Sequence, residues 1–151
     1  MYSVWPTDEQ QQIWRGYLEM TSRLQTAMHR QLQRDCELSL ADYDVLVALS
    51  ERGPQRINEL GEVLAWEQSR LSHQLRRMRG RGLVDRHGSG DDRRGATVEL
   101  TDAGRAALDA AAPGHAELVR SVVFDGLTAA QLRGFGSLID SVLGRLTSQI
   151  R

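Results

Sequence analysis

Apolar residues recur at steps of three and four over most of the chain, and this spacing predicts amphipathic helices. A first helix is expected over about residues 8–34 and a second over residues 40–51. The apolar positions of the last helix are Leu132, Phe135, Ile139, Val142, Leu146 and Ile150. A hydroxyl residue followed three positions later by a polar partner marks a helix start, and such pairs begin at Thr7, Ser39 and Thr128.

The pattern changes between residues 58 and 101. Two short helices are predicted there, with apolar positions at Leu60, Val63 and Leu64 and then at Leu71, Leu75 and Met78. At 100° per residue, the side chains of Leu75 and Met78 lie within about 40° of Leu71 around the helix axis. The side chains on the opposite side of the helix are polar: Ser69, His73 and Arg76. The second short helix therefore has one face for a core and one for a polar partner.

Strand-like alternation follows this helix at residues 83–87 and 96–100, with a glycine-rich polar loop at 88–95 between them. Residues 55–57 are expected to add a short strand. Thr101 begins an alanine-rich helix in which Pro113 predicts a kink or a break. The expected fold is mainly α with a small β-wing: a winged helix-turn-helix with long N- and C-terminal helices.

Charge is unevenly distributed along the chain. The net charge is -1 for all 151 residues, but residues 67–94 contain eight arginines and four carboxylates, a local charge of +4, so the remainder carries -5. An acidic body with one basic segment is typical of a protein that presents a single face to phosphates. A solvated helix face is the alternative explanation of the same charges.

Composition limits the remaining classes. The 151 residues suffice for one domain with a core, and the longest apolar runs, such as residues 45–49, are far too short to span a membrane. We expect a cytoplasmic protein without a leader sequence. Cys36 is the single cysteine, which excludes a disulfide framework. A redox-sensing thiol is one alternative, although the neighbouring Asp35 and Glu37 disfavour a thiolate.

Several ordered segments together resemble the multiple-antibiotic-resistance regulator (MarR) family over nearly the whole chain. They are residues 40–46, 57–60, 69–72, 81–84, 91–95 and 100–104. The resemblance implies a single domain over 1–151, with a DNA-binding lobe at 38–100 and dimerisation helices at 7–37 and 101–151. It also implies a homodimeric transcription factor whose affinity for DNA responds to a small ligand or an oxidant.

The resemblance carries roles over to individual residues. Side chains expected toward base edges in the major groove are Gln68, Ser69, Ser72, His73 and Arg76. Arg70 and Arg77 suit contacts with the DNA backbone. In the wing, Asp92 would brace the loop, Arg94 would enter the minor groove and Arg93 would touch phosphate or water. Glu67 departs from the family, which often has serine or threonine there.

Five further residues are candidates for a ligand pocket, or else ordinary core: Trp14, Tyr17, Tyr43, Trp66 and His115. No motif joins Cys36 to the four histidines, so we expect no enzyme, cofactor or metal. The function expected is a sequence-specific regulator, a repressor, that binds a double-stranded pseudo-palindromic operator as a homodimer and is released by a phenolic or aromatic effector. The alternatives are a winged module for protein contacts and a redox regulator that uses Cys36.

Overall fold

The computed structural model describes residues 4, 7–88 and 96–149. Its elements, in chain order, are α1 (Asp8–Cys36), α2 (Leu40–Arg52), β1 (Gln55–Arg56), α3 (Ile57–Leu64), α4 (Gln68–Gly80), β2 (Val84–His87), β3 (Thr97–Leu100), α5 (Asp102–Val119), a π-helical segment (Arg120–Phe124) and α6 (Ala129–Gln149). They form two compact units, residues 1–115 and 116–151. The mainly helical winged architecture is confirmed. No helix in the described ranges is long and apolar enough to cross a membrane.

Polar caps set the helix starts where the sequence predicts them. Thr7 Oγ1 accepts a hydrogen bond from the Gln10 N–H at 3.0 Å, and Ser39 and Asp42 cap each other reciprocally, both at 2.9 Å. Thr128 pairs with Gln131 in the same way. Each cap satisfies N–H groups that have no partner within the helix, so the boundaries follow from local chemistry.

The sequence predicts a kink or a break at Pro113, and the break does not occur. Helix α5 continues through Pro113 to Val119, although a proline inside a helix removes one backbone hydrogen bond and crowds the preceding turn. Leu108 and Ala111 of α5 are buried in the core, and such tertiary packing overrides an unfavourable local propensity. The hydrogen bonding changes later instead, in the π-helical segment, where the Asp125 N–H donates to the Arg120 carbonyl at 2.8 Å.

The three strands form an antiparallel sheet in the order β1-β3-β2. In the β2–β3 ladder, Asp85 lies opposite Glu99 and Arg86 lies opposite Val98. Gln55 of β1 pairs with Val98 on the other side of β3, which confirms the short third strand. Since side chains alternate between the two faces of a strand, Arg86 points away from its neighbours Asp85 and His87.

The core of the first unit is formed by α2, α3, α4 and the sheet, together with Leu32 of α1 and Leu108 and Ala111 of α5. Leu71, Leu75 and Met78 of α4 are all buried in it, as the periodicity predicts. Val63 is the exception in α3, because 39% of its surface remains exposed. In the second unit no residue of α6 is buried. The core therefore holds α4 by its apolar side and leaves the polar side outward.

Candidate DNA-binding surface

The outward side of α4 presents the side chains that the sequence assigns to DNA. Ser69, His73 and Arg76 are exposed, opposite the buried Leu71 and Met78. Gln68 and Ser72 are exposed as well, on the flank of α4 that faces the sheet. A single helix thus carries hydroxyl, amide, imidazole and guanidinium groups on one face, which is the set of donors and acceptors that can bind base edges.

A groove of about 510 Å³ adjoins this face, between α4 and the three-stranded sheet. Its lining residues are Ile57, Gln68, Ser69, Ser72, Leu75, Arg76, Arg79, Val84, Arg86 and Val98. Arg79 and Arg86 are the charged members that the sequence does not single out as binding residues. Two local signals point to them, since Arg79 follows Ser72 by two helical turns and Arg86 shares a strand face with Val84. Three guanidinium groups therefore line one concave surface.

The other flank of α4 faces α2, where the arginines are held by protein groups. The Arg70 guanidinium lies 4.2 Å from the centre of the Trp66 ring, a cation–π contact that fixes its plane. Arg77 donates to Gln74 Oε1 at 3.0 Å, rather than pairing with an acidic neighbour. Both arginines remain exposed at the edge of the outward face, which suits contacts with a phosphate backbone.

A buried carboxylate lies behind this flank. Asp42 Oδ1 accepts from Gln74 Nε2 at 2.5 Å, and Asp42 Oδ2 accepts from Arg81 at 2.7 Å. Burial by itself raises the pKa of Asp42, but the hydrogen bond from the Ser39 N–H and the pairing with Arg81 outweigh it and lower that pKa below its ordinary value. The sequence predicts Asp42 only as a helix cap. Its contacts with Gln74 and Arg81 join residues distant in the chain.

Four further sequence positions bear on DNA binding: Glu67 at the start of α4, and Asp92, Arg93 and Arg94 of the wing. Glu67 occupies the N-cap of α4, and its side chain accepts no capping hydrogen bond from the described residues. Its carboxylate is exposed, where it suits the positive end of the helix but would repel a phosphate. Asp92, Arg93 and Arg94, the expected brace and DNA contacts of the wing, lie outside the described residues.

The five aromatic candidates separate into three groups. The rings of Tyr43 and His115 are in contact, tilted by 35° with their centres 4.4 Å apart. Trp14 and Tyr17 stack on each other along α1, at 5.3 Å, and Trp66 carries Arg70 as described above. Among the described residues, Tyr43 and His115 line one cavity together.

That cavity is a second groove, of about 490 Å³, bordered by α2, α3 and the His115 region of α5. Its lining residues are Tyr43, Asp44, Val47, Ala48, Glu51, Arg52, Val63, Leu64 and His115. Burial lowers the pKa of His115 and raises that of Asp44, because it disfavours the charged form of each group. His115 Nδ1 is buried and has no hydrogen-bond partner among the described residues. The groove thus combines aromatic walls with an unsatisfied polar atom.

Two further sets of side chains could in principle react or bind a metal: Cys36, and a three-residue cluster on the sheet. The Cys36 thiol donates to the Leu32 carbonyl at 3.1 Å, and burial raises the pKa of Cys36, so the reactive thiolate is disfavoured. Asp85, His87 and Glu99 bring possible metal-ligand atoms within 4.8 Å of one another. The cluster is solvent-accessible and His87 already pairs with Glu99, so we assign it as a cross-strand polar contact.

A helix-turn-helix with an antiparallel wing and an outward polar face on its second helix defines the class of winged-helix DNA-binding regulators. The MarR family model matches residues 38–95. Sco3205, a MarR family regulator from Streptomyces coelicolor solved in complex with DNA, is 39% identical over 94% of both chains, with a TM-score of 0.86. AbsC, a MarR family regulator from the same organism, is 32% identical over 97% of this chain and 99% of that one, with a TM-score of 0.87.

The chain belongs to the MarR family, whose members are transcriptional regulators that bind DNA rather than enzymes. Among curated proteins, it is also similar to the transcriptional repressor NicR of Pseudomonas putida, with 35% identity over 88 residues. That match spans 58% of this chain and 56% of NicR. It therefore covers little more than half of either protein.

Proposed function

We propose that the protein is a transcriptional repressor that acts in the cytoplasm as a homodimer on a pseudo-palindromic operator. The observation that carries the proposal is the outward face of α4, where Ser69, His73 and Arg76 stand free of the core beside a groove lined by arginines. The name of NicR, a repressor, supports the direction of regulation. In this proposal, bound protein blocks transcription and its release restores it.

Helix α4 is placed in the major groove, where Ser69, His73 and Arg76 contact base edges. Gln68 and Ser72 contact bases at the side that faces the sheet. Arg70 and Arg77 bind phosphates on the opposite side, since Trp66 and Gln74 hold their guanidinium groups at the rim. In the wing, Arg94 enters the minor groove, Arg93 binds phosphate and Asp92 braces the loop.

Exposed apolar side chains support the homodimer. The large ones of α1 are Ile13, Trp14, Tyr17, Leu18 and Met20. Those of α6 are Leu132, Phe135, Leu138, Ile139, Val142, Leu143 and Leu146. Several large apolar side chains exposed along one helix are uncommon on monomers outside binding sites, and a second copy would cover each of these helices. The resulting two-fold axis predicts half-sites about 10 bp apart, one turn of DNA.

The groove beside Tyr43 and His115 is the proposed effector site, and a phenolic acid is the ligand class that fits it. Tyr43 and His115 offer aromatic surfaces, and the buried Nδ1 of His115 can form a hydrogen bond with a phenol hydroxyl. Arg52 lines the same groove and can pair with a carboxylate. Binding there would change the equilibrium between DNA-binding and released states.

Operator binding tests the core of this proposal. The protein is titrated onto DNA from its own upstream region at 150 mM salt, with an unrelated duplex as control. We expect retardation of the upstream duplex, altered sequence preference for Ser69→Ala and His73→Ala, and uniformly weaker binding for Arg94→Ala. If no duplex is retarded, a winged module for protein contacts would replace the DNA-binding function. Loss of the gene should raise transcription from the same promoter; a fall would make the protein an activator.

Two further measurements test the finer claims separately. Light scattering should give twice the 16.9 kDa mass of the chain, and a monomer at micromolar concentration would reject the homodimer. Hydroxybenzoates should raise the melting temperature and release the operator, with Tyr43→Ala and His115→Gln losing both effects. Operator binding that no hydroxybenzoate alters would reject the effector while leaving the DNA-binding function in place.

A further inference from the structure

We propose that Asp42 and Arg81 form a clamp that ties recognition helix α4 to the end of α1, and that this clamp sets the distance between the two recognition helices of the dimer. The inference rests on the proposed homodimer and deepens it, because it names the residues that control operator spacing. Asp42 and Arg81 act as positioning residues. Neither is assigned to touch DNA.

The clamp begins at the Asp42 carboxylate, whose side chain is only 4% exposed. Its Oδ1 accepts from Gln74 in the middle of α4 at 2.5 Å. Its Oδ2 accepts from Arg81 at 2.7 Å and from the Ser39 N–H at 2.9 Å. A capping box needs only the contact with Ser39, so the bonds to Gln74 and Arg81 require a further explanation.

Arg81 extends the clamp to α1. Its backbone N–H closes the last turn of α4 by donating to the Arg77 and Met78 carbonyls. Its guanidinium donates to Asp42 from one nitrogen and to the Glu37 carbonyl from another, the latter at 2.8 Å. Glu37 is the left-handed residue that ends α1. One arginine therefore binds the end of α4 through its backbone and the end of α1 through its side chain.

The geometry restrains α4 in two ways. Gln74 lies within α4 and Arg81 at its end, so two contacts about two turns apart fix both position and rotation. A buried carboxylate also has to keep its partners, because a charge left unpaired in the interior is strongly unfavourable. The Arg77 guanidinium in turn is oriented by Gln74 Oε1. The clamp thus reaches from α1 to the edge of the base-reading face.

The consequence for the dimer follows from the role of α1. Its exposed apolar side chains are part of the proposed dimer surface, and its C-terminal end holds the clamp. A stiff connection between the dimer helix and the recognition helix keeps the two copies of α4 at one separation. Each inserted base pair moves a half-site by about 3.4 Å and rotates it by about one tenth of a turn, so a stiff dimer should discriminate sharply between spacings.

The test measures affinity for operators whose half-sites are moved apart or together by one and two base pairs, using the full-length protein. Wild type should lose affinity at least about 30-fold for one inserted base pair, the equivalent of roughly one or two mismatches. Arg81→Gln and Asp42→Ala should bind the best operator more weakly, and their penalty for the insertion should fall below about fivefold. Arg81→Gln is the less disruptive variant, because the Arg81 side chain is partly exposed and a glutamine amide keeps a hydrogen-bond donor for the buried Asp42 carboxylate.

Arg105→Ala is the matched control, since Arg105 also bridges two helices by a side-chain bond, to Ser50 at 2.8 Å, but does not touch the clamp. It should keep the wild-type spacing penalty. If Arg81→Gln also keeps that penalty while losing affinity equally for every spacing, Arg81 is merely structural and the inference is overturned. If wild-type protein binds no operator, or binds all spacings equally, the proposed dimeric DNA-binding function is rejected, and the clamp, which depends on it, is rejected as well.

Discussion

Removing the two groove arginines, Arg79 and Arg86, should reduce the salt dependence of DNA binding without changing sequence preference. Both line the groove beside the outward face of α4. Within the part of the chain that the structure describes, neither guanidinium forms an ion pair, in contrast to Arg81. Their charge is therefore available to phosphates, and their flanking position suits the DNA backbone better than base edges.

The magnitude follows from counterion release. Each phosphate contact contributes about 0.9 to the slope of log affinity against log salt on duplex DNA. Between 50 and 200 mM salt, a slope of that size changes affinity by roughly 3.5-fold for one arginine and 12-fold for two. The double variant should accordingly lose less affinity than wild type over this range, by about a factor of 12.

The assay is fluorescence anisotropy with the operator duplex at four or more salt concentrations. Arg23→Ala is the control, because Arg23 on α1 is already paired with Glu19 at 2.6 Å, and it should leave the slope unchanged. A double variant with the wild-type slope would refute the assignment of Arg79 and Arg86 to phosphates. A changed preference among operator sequences would instead indicate that Arg79 or Arg86 contacts a base edge.

Three predictions concern stability, each measured by urea unfolding without DNA. Gly104→Ala would place a Cβ 2.1 Å from the Leu83 carbonyl oxygen and should lower the unfolding free energy by about 1–3 kcal/mol. The control is Gly80→Ala, whose Cβ meets open space and which should leave the unfolding free energy unchanged or raise it by up to about 1 kcal/mol. Equal effects of the two variants would refute the close packing at Gly104. Leu60→Ala, fully buried, should cost about 2–5 kcal/mol, and a loss below 1 kcal/mol would contradict its burial. Because the pKa of Asp42 is lowered in the folded chain, its ionised form stabilises folding above the ordinary pKa of about 3.9. This contribution disappears as the pH falls through the lowered pKa. If the unfolding free energies of wild type and Asp42→Asn differ by the same amount down to acid pH, the ionised Asp42 does not stabilise the fold.

Local signals account for much of the fold. The reciprocal pair Ser39–Asp42 starts α2 where its spacing predicts, and the rotation of 100° per residue places Leu71 in the core and His73 outside. Capping and helical periodicity depend on residues within about one turn. They can therefore be predicted from a single sequence.

Other features depended on the neighbours that the fold supplies. Val63 belongs to an apolar helical pattern yet lines an open groove, and Gln74, a polar residue, is buried. Pro113 predicts a kink or a break, yet α5 continues past it with Leu108 and Ala111 buried. In each case the outcome depends on the elements packed beside the residue, which a local pattern does not specify.

The sequence by itself determined the order of the elements, the family and the outward face of the recognition helix. Only the tertiary structure placed Asp42 against Gln74 and Arg81, which are 32 and 39 positions away in the chain. It likewise brought Arg86 of the sheet into one groove with Arg79 of α4. The physical reason is that periodicity specifies which way a side chain leaves its own helix or strand, whereas its partner depends on how separate elements pack around a shared core.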